Sequence, residues 1–185
     1  MLAHGRGTPA QLTELFVGMA RAAGLNAYAM WVPDRSEEIF TPMWLETRQL
    51  DDYIAIVSVD GKEHYFDPGS RFCPYGQLAW QHTAVSGLRQ TDGGTSIGET
   101  PFEPYKSNRL TRVANLTMDA HGEITGSMDL SFTGAPALRW RHVALRGDEE
   151  GLRKELREHA ESMVPKTLEV EVADIKDVNL SLIHI

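Results

Sequence analysis

Asp52-Tyr53-Ile54-Ala55-Ile56-Val57-Ser58-Val59-Asp60-Gly61-Lys62-Glu63-His64-Tyr65-Phe66-Asp67-Pro68 is the stretch whose reading decides the fold. Two runs rich in β-branched and aromatic residues flank Asp60-Gly61, the dipeptide best suited to a two-residue hairpin turn. Strands are therefore predicted over 52–59 and 62–67, with Val59 opposite Lys62 and Ile54 opposite Asp67. Pro68 stops the second strand. In that register Asp52 and Asp67 project from one face as diagonal neighbours, about 7–8 Å apart between backbones. Like charges this close resist joint ionisation. Three outcomes are open: one carboxyl keeps its proton near neutral pH, an Arg or Lys reaches between them, or a cation binds. An Arg or Lys, or plain solvation, is expected ahead of a metal, because Ca²⁺ takes six or more oxygens.

Upstream lies a helix from Pro9 to about Ala23. Thr8 suits the N-cap, Pro9 the first helical position and Gln11 the capping box. Leu12, Leu15, Phe16, Met19 and Ala23 fall on one side, and Gly24 closes the helix. Asn26 to Val32 reads as a strand. Pro33 to Leu50, with two prolines and mixed charges, reads as a long loop.

Downstream, 69–107 carries many Gly, Pro and polar residues, and Gln90 to Tyr105 is expected to be an exposed loop. Its Asp92-Gly93-Gly94-Thr95 has neither the leading strand nor the following helix that a phosphate cradle needs. From Asn108 apolar and polar residues alternate over Leu110 to Met118 and Ile124 to Phe132, around a His121-Gly122 turn. Two helices come next, opened by Pro136 and Asp148. Leu152, Leu156, Ala160 and Met163 line one side of the second. Leu168, Val170 and Val172 suggest a last strand. There is no internal repeat and no low-complexity tract.

Composition sets the outer limits. With 42% hydrophobic and 24% charged residues the chain is of ordinary globular make-up. A net charge of −8 argues against a nucleic-acid surface. Arg139-Trp140-Arg141-His142 with Arg146 is the one basic run, and it reads as the solvated side of a helix. The single cysteine, Cys73, excludes an internal disulfide framework and any multi-cysteine metal site. No apolar run reaches the roughly 18 residues of a membrane span. Met1 to Gly7 has no apolar core, so no signal peptide is read there. Because a helix cap comes almost at once, the chain is expected to be a fragment whose missing signal says nothing about export. Leu180 to Ile185 resembles translated adapter sequence and is set aside from fold reasoning.

Three segments carry a resemblance. Leu15-Phe16-Val17-Gly18-Met19-Ala20-Arg21-Ala22-Ala23-Gly24, Asp52-Tyr53-Ile54-Ala55-Ile56-Val57 with Asp60-Gly61-Lys62, and Phe66-Asp67-Pro68 are similar in order and spacing to the core of bacterial transglutaminase-like domains of the papain-like superfamily. The match covers about 5–80; 108–179 resembles, more weakly, the β-rich segment that comes after such cores. In that family a thiol at a helix N-terminus is activated by the helix dipole, a His takes its proton and an Asp orients the ring. The resemblance sets the cysteine position on Pro9, the histidine position on Asp52 and the aspartate on Asp67. Proline has no nucleophile, and a carboxylate does not replace an imidazole poised near neutral pH. The triad is therefore expected to be degenerate.

Substitute chemistry has few candidates. Thr8 is explained by capping. Cys73, with His64 or His82 as base, is the candidate rescue, but it has no helix N-terminus behind it, and a buried structural thiol is the simpler reading. Trp31, Trp44 and Trp80 are read as core aromatics ahead of a ligand groove.

The fold class expected is α/β to α+β. A helix packed on an antiparallel sheet over 1–107 forms a partial transglutaminase-like core, a β-rich module with two helices spans 108–179, and 180–185 stands apart. The function expected from the resemblance is a non-catalytic binding or scaffolding module of a larger bacterial exported protein, extracytoplasmic, without cofactor or metal. A peptide or cell-envelope ligand is expected, with no nucleic acid and no membrane insertion. A Cys73-dependent hydrolase or acyl transferase, and a cation-binding structural module on Asp52 and Asp67, are the alternatives.

Overall fold

Asp60 and Gly61 take φ of 52° and 75°, the paired positive values of a type I′ turn, which matches the right-handed twist of the flanking strands. Val59 consequently pairs with Lys62, and the ladder runs back to Ala55 opposite Phe66. The computed structural model describes residues 5–44, 46–178 and, in backbone only, 182–184. It divides into two units, Met1–Glu103 and Pro104–Ile185. The boundary lies slightly before the expected 107/108. The reason is local: Ser107 O accepts from Thr133 Oγ1 at 3.1 Å and Asn108 Oδ1 from Ala135 N at 2.7 Å, so this stretch is tied to residues 133–135.

The first unit has one helix, α1 (Pro9–Ala22), and strands β1 (Asn26–Val32), β2 (Asp52–Val59), β3 (Lys62–Phe66), β4 (Ser86–Thr91) and β5 (Gly94–Glu99). They form one antiparallel sheet in the order β3-β2-β1-β4-β5. Ile54 to Val57 are all buried because both faces of β2 are covered. On one face Val17 of α1 packs with Ala27, Ala55, Val57 and Phe66. On the other, Met30, Val32, Ile54 and Ile56 meet Leu78 and Val85 from the segments after β3. Ile54 and Ile56 are fully buried, each contributing roughly 1.5–3 kcal/mol.

Capping of α1 agrees with the sequence reading: Thr8 Oγ1 accepts from Gln11 N, Gln11 returns the bond to Thr8 N, and Leu25 N reaches Ala20 O past Gly24. Its buried side does not agree. Thr13 and Val17 are buried, with Phe16 and Ala20 alongside, while Leu12 and Met19 are 37% and 55% exposed. Thr13 Oγ1 donates to Tyr53 O at 3.0 Å. That bond and a stripe of small side chains bring the helix close to β2, and they override the bulkier apolar side.

Gln90 to Tyr105 is not an exposed loop. Its first half belongs to the β4–β5 hairpin, closed by Asp92-Gly93 between Thr91 and Gly94. The Asp-Gly signal that marks the β2–β3 turn is present here too, obscured by the extra glycine and the lack of apolar flanks.

The second unit holds β6 (Arg109–Met118) and β7 (Ile124–Thr133), paired antiparallel through all ten positions, then α2 (Ala135–Arg146) and α3 (Glu149–Glu161). Leu130 and Phe132 of β7 pack with Ala137, Trp140 and Val143 of α2 and with Leu152, Leu156 and Ala160 of α3. Asp148 caps α3 by accepting from Gly151 N at 2.8 Å. No strand forms at 168–172. Val170 and Val172 lay their side chains on the core, but Arg153 Nη1 takes the Val172 carbonyl at 3.0 Å. Of the terminal segment 180–185, Leu182–His184 forms β8, whose backbone pairs with β7, and 180, 181 and 185 lie outside the described residues. The described residues thus combine three α-helices with antiparallel sheets, a coarse α+β architecture.

One contact sets a sharp test. A Cβ on Gly87 would lie 2.3 Å from Trp31 O across the β1–β4 ladder, whereas nothing lies within 4 Å of the same position on Gly18 in α1. Gly87→Ala is expected to destabilise by about 2 kcal/mol or more, and Gly18→Ala to stabilise by about 0.5–1 kcal/mol. Urea melts of the two variants check the order.

Candidate functional site: a histidine between two aspartates

The hairpin register places Asp52, the first residue of β2, and Asp67, the residue after β3, on the same side of the sheet. What lies between them is neither Arg, Lys nor solvent. It is His82, the last residue of the 3-10 turn Trp80–His82. Its Nδ1 stands 2.6 Å from Asp67 Oδ2 and its Nε2 3.2 Å from Asp52 Oδ2. Asp67 is fixed further, with Oδ1 accepting from Ser70 N at 3.2 Å and Oδ2 from Ala79 N at 3.1 Å. The side chains of Asp67 and His82 are 1% and 8% exposed, and that of Asp52 is 35%.

This geometry decides the protonation state. Burial on its own would lower the pKa of His82, but the hydrogen bonds to Asp52 and Asp67 and their charges outweigh it and raise the pKa to about 9. His82 is therefore an imidazolium at neutral pH, donating through both nitrogens. The bond from His82 lowers the pKa of Asp52 against the opposing effect of burial. The repulsion expected between two bare carboxylates does not arise, because a cation bridges them. An imidazolium has no lone pair with which to take a proton, so in this arrangement His82 cannot serve as a general base.

The three positions singled out by the resemblance come together. Pro9, Asp52 and Asp67 line one cavity of about 150 Å³, with Ser70, Gln81 and His82. Pro9 abuts the segment after Asp67, since a Cβ on Gly69 would lie 2.9 Å from Pro9 Cβ. The start of α1 thus faces the end of β3. Its first helical residue offers a ring with no hydrogen to donate and no nucleophile.

The remaining candidates fall elsewhere. His64 is half-buried on β3 opposite Val57. Strand alternation puts it on the α1 side of the sheet, away from Asp67. The Cys73 thiol donates to Gln77 O at 3.4 Å. Burial first, then the charges of Asp67 and Glu103, push its pKa well up, opposite to the shift an activated thiol requires. Trp31, Trp44 and Trp80 are not among the buried core residues. Trp31 stacks on Tyr53 with ring centroids 5.5 Å apart, Trp44 is 74% exposed, and Trp80 lies under the Arg35 guanidinium at 5.2 Å. Two of the three sit in loop segments, where the backbone leaves no layer to cover them.

Sequence reasoning points to His82 only as a base for Cys73 and misses its place between the aspartates. No short spacing signals it, because it lies 30 residues from Asp52 and 15 from Asp67. Among the described residues no group of three or more His, Cys, Asp or Glu is set to hold a metal ion, and no helix is long and apolar enough to cross a membrane. Compared with known proteins, the chain matches no family model, no curated sequence and no solved structure.

The pH dependence comes from the two shifts. The folded pKa of His82 lies above its ordinary 6.5, so its contribution is complete below that value and disappears as pH rises through about 9. The folded pKa of Asp52 is depressed, so its contribution fades as pH falls through that lowered pKa. Relative to His82→Asn, the parent is expected to lose about 2–3 kcal/mol between pH 7 and 10. Asp67→Asn and Asp52→Asn should both be destabilised at neutral pH, Asp67→Asn the more. Chemical denaturation across that range decides it, and a parent curve parallel to that of His82→Asn would refute the bridge.

Proposed function

We propose that this chain is a non-catalytic, transglutaminase-like binding or scaffolding module of a larger exported bacterial protein, its ligand a peptide or cell-envelope component. The observation that carries the reading is the state of His82. The imidazole beside the aspartates is protonated and held by a carboxylate at each nitrogen. Catalysis by the family's route needs a thiolate, a neutral imidazole and an orienting carboxylate at once. Here the nucleophile position is occupied by Pro9, the histidine position by Asp52, and the imidazole comes from outside the motif.

The same features weigh against the alternatives. A Cys73-dependent hydrolase would need a thiol of lowered pKa, whereas this one is raised and already donates to a carbonyl. A cation bound by Asp52 and Asp67 would compete with an imidazolium that is part of the fold. What is left is a cavity of about 150 Å³ with Asp52, Asp67, Ser70, Gln81 and His82 in its lining, suited to holding a group in place without transforming it.

Thiol reactivity tests the reading. Cys73 is expected to react with iodoacetamide at neutral pH more slowly in the folded protein than in the urea-unfolded chain. In a Cys73→Ala background, the thiol introduced by Pro9→Cys is expected to react at least about tenfold faster than Cys73 does, because it sits at a helix N-terminus beside a cation. Rapid labelling of Cys73 would overturn the non-catalytic reading. A sluggish thiol in Pro9→Cys would overturn the assignment of Pro9 to the nucleophile position.

A further inference from the structure

The basic run 139–146 acquires a meaning in the fold that composition alone does not give it. It lies on α2, whose twelve residues include Arg139, Arg141, His142 and Arg146 and no acid. In a chain of net charge −8 this is a local reversal of sign. Ala137, Trp140 and Val143 face the core of the unit. Patterning assigns Arg141 to a solvated side, and the structure shows the reverse: it is 1% exposed, one of the largest fully buried side chains described. Its Nη1 and Nη2 are both shielded from solvent and have no acceptor among the described residues. No ion pair among those residues engages Arg139 or Arg141. The Arg139 guanidinium lies over the Trp140 ring, 5.6 Å from its centroid.

A buried guanidinium without an acceptor is among the most costly arrangements in a protein interior. Buried polar groups nearly always find a partner, and an exception asks for a reason. Burial also lowers the pKa of Arg141, the sign of a charge held away from water. The Nη pair is a planar fork whose natural complement is two oxygens of one anionic group.

We propose that Arg141 is an anion-binding residue, its Nη pair receiving two oxygens of a carboxylate or phosphate group on α2. The surrounding helix supplies positive charge and no competing acid, so the group is recognised by charge and by fork geometry together. This site belongs to the second unit and the cavity at Asp52, Asp67 and His82 to the first, and its assignment does not rest on the function proposed for that cavity.

Thermal melts of the full chain at fixed ionic strength test it, with inorganic phosphate, acetate or chloride as the probe. The parent midpoint should rise saturably, by about 3 °C or more, in phosphate or in acetate relative to chloride. A response to phosphate alone identifies a phosphate-type ligand, and a response to acetate a carboxylate. Arg141→Met should melt at or above the parent in chloride, since it removes the unpaired charge, and should show no saturable response. Arg141→Lys retains the charge without the fork, and its half-saturating concentration should rise at least about tenfold. Equal responses in the parent and either variant, or no saturable response in the parent, would overturn the proposal.

Discussion

The Asp60-Gly61 turn is the constraint on which the rest of the first unit depends. A two-residue turn with both φ positive leaves no freedom of register, so Val59 opposite Lys62 fixes every pair behind it. A slip of one residue would exchange Ile54 and Ile56 for Ala55 and Val57 on the face that meets Leu78 and Val85. The same arithmetic sends Asp52 and Asp67 to one side at one end of the sheet. Two carboxylates delivered there by backbone geometry need a counter-charge, and the chain returns after Asp67 to supply one in His82. Hairpin, acidic pair and imidazolium form one causal sequence.

That sequence is legible in part from the residues alone. The turn, the strands around it, the capping of α1 by Thr8 and Gln11 and of α3 by Asp148, and the face formed by Leu152, Leu156 and Ala160 all rest on short-range signals. These are decided within a few residues, where propensity and periodicity have force. The same-side placement of Asp52 and Asp67 is legible because register is local arithmetic. The identity of their partner is not, because a loop closing over 15 residues leaves no periodic trace. The buried side of α1 escapes for a related reason. Periodicity favours Leu12 and Met19, but a hydrogen bond from Thr13 to the Tyr53 carbonyl chooses the other side, and only the assembled sheet presents that carbonyl. Likewise the alternation at 168–172 is real, yet a strand also needs a free ladder edge, and Arg153 intercepts it.

The arrangement at the cavity shows that residue types common in catalysis do not by themselves make a base. Imidazole and carboxylate are both present at hydrogen-bonding distance. What differs from a working base is the second carboxylate at Nε2, which exchanges a lone pair for a proton. A single extra acceptor thus converts a potential proton carrier into a fixed cation. In the second unit, Arg141 poses the complementary problem of a fixed cation whose acceptor the described residues do not provide.

Asp67 anchors three donors spread from Ser70 to His82, so the whole crossing between β3 and the 3-10 turn is strung from one side chain. The residue therefore has a structural task independent of any reaction. An aspartate of this kind is held in place by structure alone, because replacing it releases all three donors at once. Its presence in a motif search reports how the loop is hung and carries no information about catalysis.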